Sequence, residues 1–348
     1  MRKACILGCS GPVLTAEEQV FFASERPWGF ILFRRNVETP DQVRALVQGL
    51  RETVDDPAAP VLIDQEGGRV QRLGPPHWPK YPTGRAYADQ AANDPLTGQA
   101  LARLGGRLIA ADLRRLGINV DCAPVLDVPQ PGAHDVIGDR AYGLTVESVI
   151  RLGRAMAEGM IAGGVLPVIK HIPGHGRSMS DSHLALPEVD APLDGLEAVD
   201  FPPFEALSDM PMAMTAHVVY RAIDRRRPAT TSRKVIRMIR ERLGFSGLIM
   251  SDDLSMKALS GAMADRARAS LAAGCDVVLH CNGVMGEMQA VAAGTGRLRG
   301  KAQARAEAAL ARIVRRPEPL DEAEARVRFA AAFPAAGILG ADPTGRAA

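Results

Sequence analysis

The chain of 348 residues is 47% hydrophobic and 24% charged, which supplies side chains for a large core and argues against disorder. Its 42 basic and 40 acidic residues leave a formal net charge of +2, too weak a field to suggest nucleic acid, and no aromatic-basic stripe offsets that. No stretch approaches the roughly 18 apolar residues of a membrane span, and the opening MRKACILGCSG has too few apolar residues for a secretory segment. A cytoplasmic protein is therefore expected.

Short apolar runs of strand type alternate with longer amphipathic stretches, the pattern of a parallel sheet covered by helices. In chain order they are 4–7, 29–33, 61–63, 118–126, 165–169, 212–216, 248–250 and 276–279. Eight such runs fit a closed barrel. Between them, Thr15 with Glu18, and Thr39 with Pro40 and Gln42, read as capping boxes that open helices. Ser232 precedes Val235, Ile236, Ile239 and Leu243 on one helical face, and Gly244 is a left-handed stop, as Gly117 is earlier. After Arg316 a last short helix is expected, followed by a loosely ordered tail rich in Ala, Gly and Pro. The reading is a single (β/α)8 TIM barrel over 1–333 with a tail at 334–348, and the chain is expected to be a monomer. Cys5, Cys9, Cys122, Cys275 and Cys281 are odd in number and lack CxxC pairing, so they read as buried small apolar side chains.

Barrel chemistry sits at the C-terminal ends of the strands. Asp64, Asp127, Lys170 with His171, His217, Asp252, and His280 with Asn282 all follow apolar runs directly. Burying such groups is costly without partners, so a ring of them around one mouth is the expected arrangement.

Two jobs in glycoside hydrolysis with retention can be matched to these residues: attack on the anomeric carbon and protonation of the leaving oxygen. Asp252 in GLIMSDDLSM is the nucleophile candidate, held by a rigid strand end. On the other reading, Asp252 and Asp253 simply begin a helix at Ser255. No Glu stands at a matching strand end to donate the proton. In KHIPGHGRSMSDSH, however, Asp181 and His183 lie two apart, so an extended loop points both side chains the same way. The carboxylate would orient the imidazole, whose ordinary pKa of about 6.5 suits proton exchange near neutrality. Gly174 and Gly176 suggest that this loop moves, with Asp252 ordered and His183 free to stand away from an empty site. A metal site from His171, His175 and His183 is the alternative, although the spacing matches no zinc motif. Arg72, Arg140 and Lys170 are cations suited to sugar hydroxyls or an anionic substituent.

Three segments taken together, IDQEGGRVQR (63–72), KHIPGHGRSMSDSH (170–183) and MSDDLSM (250–256), resemble glycoside hydrolase family 3, and within it the bacterial β-N-acetylglucosaminidases of peptidoglycan recycling. The likeness also takes in FRRN, CAPVLDV, IGDRAYG, MTAHVVY and AGCDVVLHCNG, reaching residue 283. It implies a barrel without the second sandwich domain that many members carry. It places the nucleophile on Asp252, the acid/base dyad on Asp181 and His183, and substrate binding on Asp64, Arg72, Arg140, Lys170 and His171. Ile172, where the family's motif usually has Phe, is a departure, as is the Met179-Ser180 lead-in to the dyad.

The implied reaction removes terminal β-1,4-linked N-acetylglucosamine from 1,6-anhydro-N-acetylmuramic acid, with or without peptide, through a covalent glycosyl-enzyme. No metal and no organic cofactor is implied, and the partner is a small-molecule amino sugar, not nucleic acid or membrane. A histidine acid suits a leaving sugar that carries its own lactyl carboxylate, because a second carboxylate would repel it. Two alternatives stay open. One is a phosphorylase on the same scaffold, since a histidine also lets anionic phosphate approach; the other is a metal-dependent hydrolase or sugar-binding protein on the same barrel.

Overall fold

The computed structural model describes residues 2–178, 186–314 and 316–334. Eight parallel strands close into a barrel: Lys3–Gly8, Pro27–Leu32, Val61–Ile63, Val120–Asp121, Leu166–Ile172, Met212–Thr215, Leu248–Asp253 and Val277–His280. They follow one another around it in chain order, and the last pairs with the first through Val278 and Cys5. Each of the eight expected runs overlaps one of these strands, although several strands extend beyond the run.

Period-two alternation builds two layers of core. Ile6, Ile31, Leu62, Val120, Val168, Met212, Met250, Val277 and Leu279 fill the barrel interior. Their neighbours Leu7, Phe30, Ile63, Ile169, Ala213, Ile249 and Val278 face outward, into the two clusters under the helices. The expected fourth strand, 118–126, is cut to two residues with a single later bridge from Val125 to Lys170. Pro124 has no N–H to give, but its carbonyl accepts from Lys170 at 3.2 Å and Leu126 donates to the Lys170 carbonyl at 2.7 Å, so irregular bonding to the fifth strand continues past it.

The helix signals hold with one change. Thr15 and Glu18 make the full capping box that opens α1 (Ala16–Glu25). At α2 (Pro40–Thr53) Thr39 accepts from the Gln42 N–H, but the Gln42 side chain does not return to Thr39; it accepts from the Glu38 N–H at 2.9 Å and donates to the Pro12 carbonyl at 2.5 Å. Ser232 caps α3 (Arg233–Glu241), and Gly117 and Gly244 both have positive φ. The last short helix spans Glu322–Ala332 and is capped by Asp321. All five cysteines are free and buried, and among the described residues no helix is long and apolar enough to cross a membrane.

A buried acid at the end of the fourth strand couples stability to pH. Asp121 is fully buried, accepts the Gln65 N–H at 2.9 Å through Oδ1, and leaves Oδ2 without a partner among the described residues. Burial raises its pKa to about 8. The folded state therefore keeps a proton that the unfolded chain releases near its ordinary pKa of about 4, so this residue lowers stability progressively as pH rises from about 4 to 8. Asp121→Asn is expected to melt at least ~3 °C above wild type at pH 8, the gap shrinking toward pH 4. Thermal melts across that range would show it; a gap independent of pH would contradict an uncharged Asp121.

Candidate active site

Inward-facing positions carry the chemistry one step beyond the apolar interior. Asp64, Lys170 and Asp252 stand two residues after Leu62, Val168 and Met250, and so share their direction, toward the barrel axis. Together with Arg72, Arg140 and His171 they line a cavity of about 280 Å³ at the barrel mouth. Phe33, Glu66, His175, Asp253 and Met256 complete much of its wall. His171 and Asp253 directly follow an inward residue, and simple alternation would turn them away. The strand pairing shifts register at both places, between Lys170 and Ile172 and between Met250 and Asp253. These irregularities bring consecutive side chains to one cavity.

The polar wall is a chain of alternating charges. Lys170 Nζ donates to Asp64 Oδ1 at 2.9 Å and lies 2.7 Å from Glu66 Oε1. Arg140 reaches Glu66 in a fork, Nε to Oε2 and Nη2 to Oε1, both at 2.8 Å. Arg72 donates to Asp64 Oδ2 at 2.8 Å, and its guanidinium lies over the Phe33 ring, 4.9 Å from the centroid.

Burial by itself would raise the pKa of Asp64 and Glu66; the surrounding cations reverse this, holding Asp64 far below the carboxylate range and Glu66 at about 2. In the same way Lys170 and Arg140, which burial would push down, are held above their ordinary values by the two acids. At neutral pH all of these groups are charged and already fixed in place.

Glu66 was not among the residues expected from sequence. Its signal was its spacing, two residues after Asp64 in IDQEGG. The short strand Gln65–Gly67 doubles back on Val70–Gln71, and Gly67 makes the turn possible: its φ is +96°, and a Cβ there would meet the Pro82 carbonyl oxygen at 2.2 Å. The Gln65 side chain then accepts from the N–H groups of Arg72 and Leu73, at 3.1 and 3.0 Å, which sets the Arg72 backbone.

Behind the wall, Asp127 serves the histidines. It accepts from the His171 ring Nδ1 at 2.7 Å and from the backbone N–H groups of His171 and His175 at 3.2 and 2.6 Å. This fixes Nδ1 as the protonated nitrogen of His171 and leaves Nε2 for the cavity side. Burial, with His171 adding to it, lowers the His175 pKa to about 4, so that ring is neutral at pH 7. Gly174 and Gly176, expected to mark a mobile loop, are buried instead. A Cβ on Gly176 would lie 2.0 Å from the Val128 carbonyl oxygen, so that glycine permits close packing of backbones.

The two adjacent aspartates differ sharply. Asp253 accepts from the N–H groups of Ser255 and Cys281 at 3.0 and 3.1 Å and from the Ser255 hydroxyl. Asp252 accepts only the Asp253 N–H, at 2.8 Å, among the described residues. Burial would raise the Asp252 pKa, but His217, His171, the backbone donor and Lys170 together hold it below the ordinary value. Asp252 is thus an ionised carboxylate with an uncommitted oxygen. No helix begins at Ser255; the strand runs on to Asp253, and α4 (Met263–Ala273) starts later.

Four of the strand-end residues expected at the mouth do not line the cavity: Asp127, behind the wall, and His217, His280 and Asn282. His217 lies behind Asp253, donating from Nε2 to its carbonyl at 3.0 Å with Nδ1 2.7 Å from the Thr230 hydroxyl. His280 follows the inward Leu279 and so faces out, fully buried, 4.0 Å from Asp253 and 3.5 Å from Glu287. Asn282 donates to Glu287 at 2.5 Å. Asp181 and His183 lie outside the described residues. No cluster of three or more metal-ligating side chains occurs among the described residues.

Comparison with known proteins agrees with this architecture. The family model "Glycosyl hydrolase family 3 N terminal domain" matches residues 15–316. A beta-hexosaminidase of Methylococcus capsulatus is 44% identical over 78% of this chain and 80% of its own length, and one of Alkalilimnicola ehrlichii 40% over 80% of each. Among solved structures, NagZ from Neisseria gonorrhoeae, in complex with N-trifluoroacetyl-D-glucosamine, aligns over 98% of both chains with a TM-score of 0.83 and 31% identity. With a closed eightfold barrel, charged residues at its C-terminal mouth and these relatives, the chain belongs to glycosyl hydrolase family 3, among its β-hexosaminidases.

Proposed function

We propose that the chain is a retaining exo-β-N-acetylglucosaminidase, with Asp252 as nucleophile and Asp181 and His183 as the acid/base dyad. It removes terminal β-1,4-linked N-acetylglucosamine from the 1,6-anhydro-N-acetylmuramyl disaccharide, with or without peptide, in cytoplasmic peptidoglycan recycling. The observation that carries this reading is Asp252: an ionised carboxylate with, among the described residues, one oxygen free of hydrogen bonds, facing a small cavity whose other charged groups are paired. The Neisseria relative was solved with an N-acylated glucosamine, the same kind of sugar.

In the first step Asp252 attacks the anomeric carbon, the bond to the leaving oxygen breaks, and His183 delivers its proton to that oxygen. In the second, His183 takes a proton from water, whose oxygen bonds to the same carbon and releases the Asp252 carboxylate. Asp64, Arg72, Arg140, Lys170 and His171 hold the sugar through both steps, and their mutual pairing means that little reorganisation accompanies binding.

Release of N-acetylglucosamine from an aryl N-acetyl-β-glucosaminide and from the anhydro disaccharide, unaffected by a chelator, tests the reading. Within that assay His183→Ala should cut kcat/KM roughly 100-fold or more on the disaccharide, whose leaving group needs a proton, and much less on an activated aryl glycoside. Equal losses on both substrates would remove His183 from the proton-donor role.

A further inference from the structure

A second cleft, of about 690 Å³, is lined by Arg226, Arg227, Arg233 and Arg266. Its position follows from the fold. Arg233 is the first residue of α3, Asp265 and Arg266 belong to the first turn of α4, and helices of this barrel begin on the face where strands end. Ala258 and Leu259 also line it. They follow Met256, which lines the catalytic cavity, at a chain distance of about 7–11 Å.

Charge in the cleft is one-sided. Its acid, Asp265, is engaged by Arg268 at 2.6 Å. The side chains of Arg226 and Arg227 have no hydrogen bond or ion pair among the described residues. Arg233 uses one nitrogen on the Ala272 carbonyl, and Arg266 uses Nε and Nη1 on backbone carbonyls, leaving further N–H groups of both unused. The N-cap of α4 is Ala262, which offers no side-chain cap, so the positive end of that helix adds to the field. In a chain with a net charge of only +2, this is a local concentration of cation. Ala269, Ala272 and Ala273 supply a small-residue apolar floor.

We infer that this cleft binds a carboxylate-bearing peptide arm attached to the leaving sugar, the guanidinium groups taking the carboxylates and the alanine floor the aliphatic segments between them. The inference rests on the glycosidase reading and adds to it a subsite for an acidic substituent.

The test compares wild type, Arg226→Ala/Arg227→Ala and Arg226→Lys/Arg227→Lys on three substrates: a neutral aryl glycoside, the disaccharide without peptide, and the disaccharide with a peptide carrying free carboxylates. The alanine pair should lower kcat/KM on the peptide substrate roughly tenfold, mainly through KM, and leave the other two within about twofold. The lysine pair should keep most of the preference, and inorganic phosphate should compete with the peptide substrate in wild type. Parallel losses on all three substrates, or no loss on the peptide substrate, would overturn the assignment. Competition by phosphate with no effect of the alanine pair on the peptide substrate would also overturn it, leaving a site for free anions only. Wild type inactive on the neutral glycoside would sink the glycosidase reading itself, an outcome distinct from these.

Discussion

Incubation with a 5-fluoro derivative of an activated N-acetyl-β-glucosaminide is expected to leave the sugar bonded to Asp252, and Asp252→Ala is expected to lose about 10⁴-fold or more in kcat/KM, even on an activated aryl glycoside. The size follows from the role. A leaving group that needs no proton still needs a nucleophile, so changing the aglycone does not rescue this variant as it rescues His183→Ala. External azide should restore part of the turnover and form the glycosyl azide of inverted configuration, because the small anion enters the space vacated by the carboxylate. Peptide mapping of the labelled protein and analysis of the azide product are the measurements. A label on Asp253 would contradict the assignment, since both Asp253 oxygens are engaged by Ser255 and Cys281.

The second large effect is expected at Lys170, where binding and stability coincide. Lys170→Met would leave Asp64 and Glu66, both buried, without the cation that lies 2.9 and 2.7 Å from them. Breaking a buried pair in this way costs about 3–5 kcal/mol, and activity should fall below detection with the loss of a cavity-lining cation. The pH dependence carries a definite sign. Glu66 has its pKa lowered to about 2, so its stabilisation of the wild type is present above about 4.5 and fades as pH falls toward 2. In the variant Asp64 keeps Arg72 and Glu66 keeps Arg140, but without Lys170 both acids take up protons at higher pH than in the wild type, so the deficit should be greatest near neutrality and narrow on acidification. Lys170→Met/Glu66→Gln should recover part of the melting temperature and none of the activity. If the single variant melts with wild type at pH 7, the paired wall is not what holds these acids.

Much of this was legible in the sequence because it depends on period two. Apolar runs locate the strands, and the polar residues that continue their inward positions, Asp64, Lys170 and Asp252, are the ones that reach the cavity. What was not legible depends on departures from that period or on contacts distant in the chain. Glu66 sits on a doubled-back turn made by Gly67, and its partner Arg140 is 74 positions away. Asp127 is a strand-end carboxylate by any sequence test, yet its work is to hold His171 from behind, which only the packing reveals. His280 and Asn282 look like mouth residues until the parity of Leu279 is fixed, whereupon they fall on the outer side. Gly174 and Gly176 read as hinges in sequence, whereas burial makes them contact points between backbones.

The two shifts of register at Lys170–Ile172 and Met250–Asp253 also bear on any attempt to rebuild this barrel. A designer who regularised these strands would keep every hydrogen-bonded rung and every apolar interior layer, and the product should still close. It would nonetheless send His171 and Asp253 into the helical shell, and with Asp253 would go the carboxylate that ties the strand end to Ser255 and Cys281. In this scaffold the irregular strand ends belong to the functional specification, and idealisation has to stop one residue short of them.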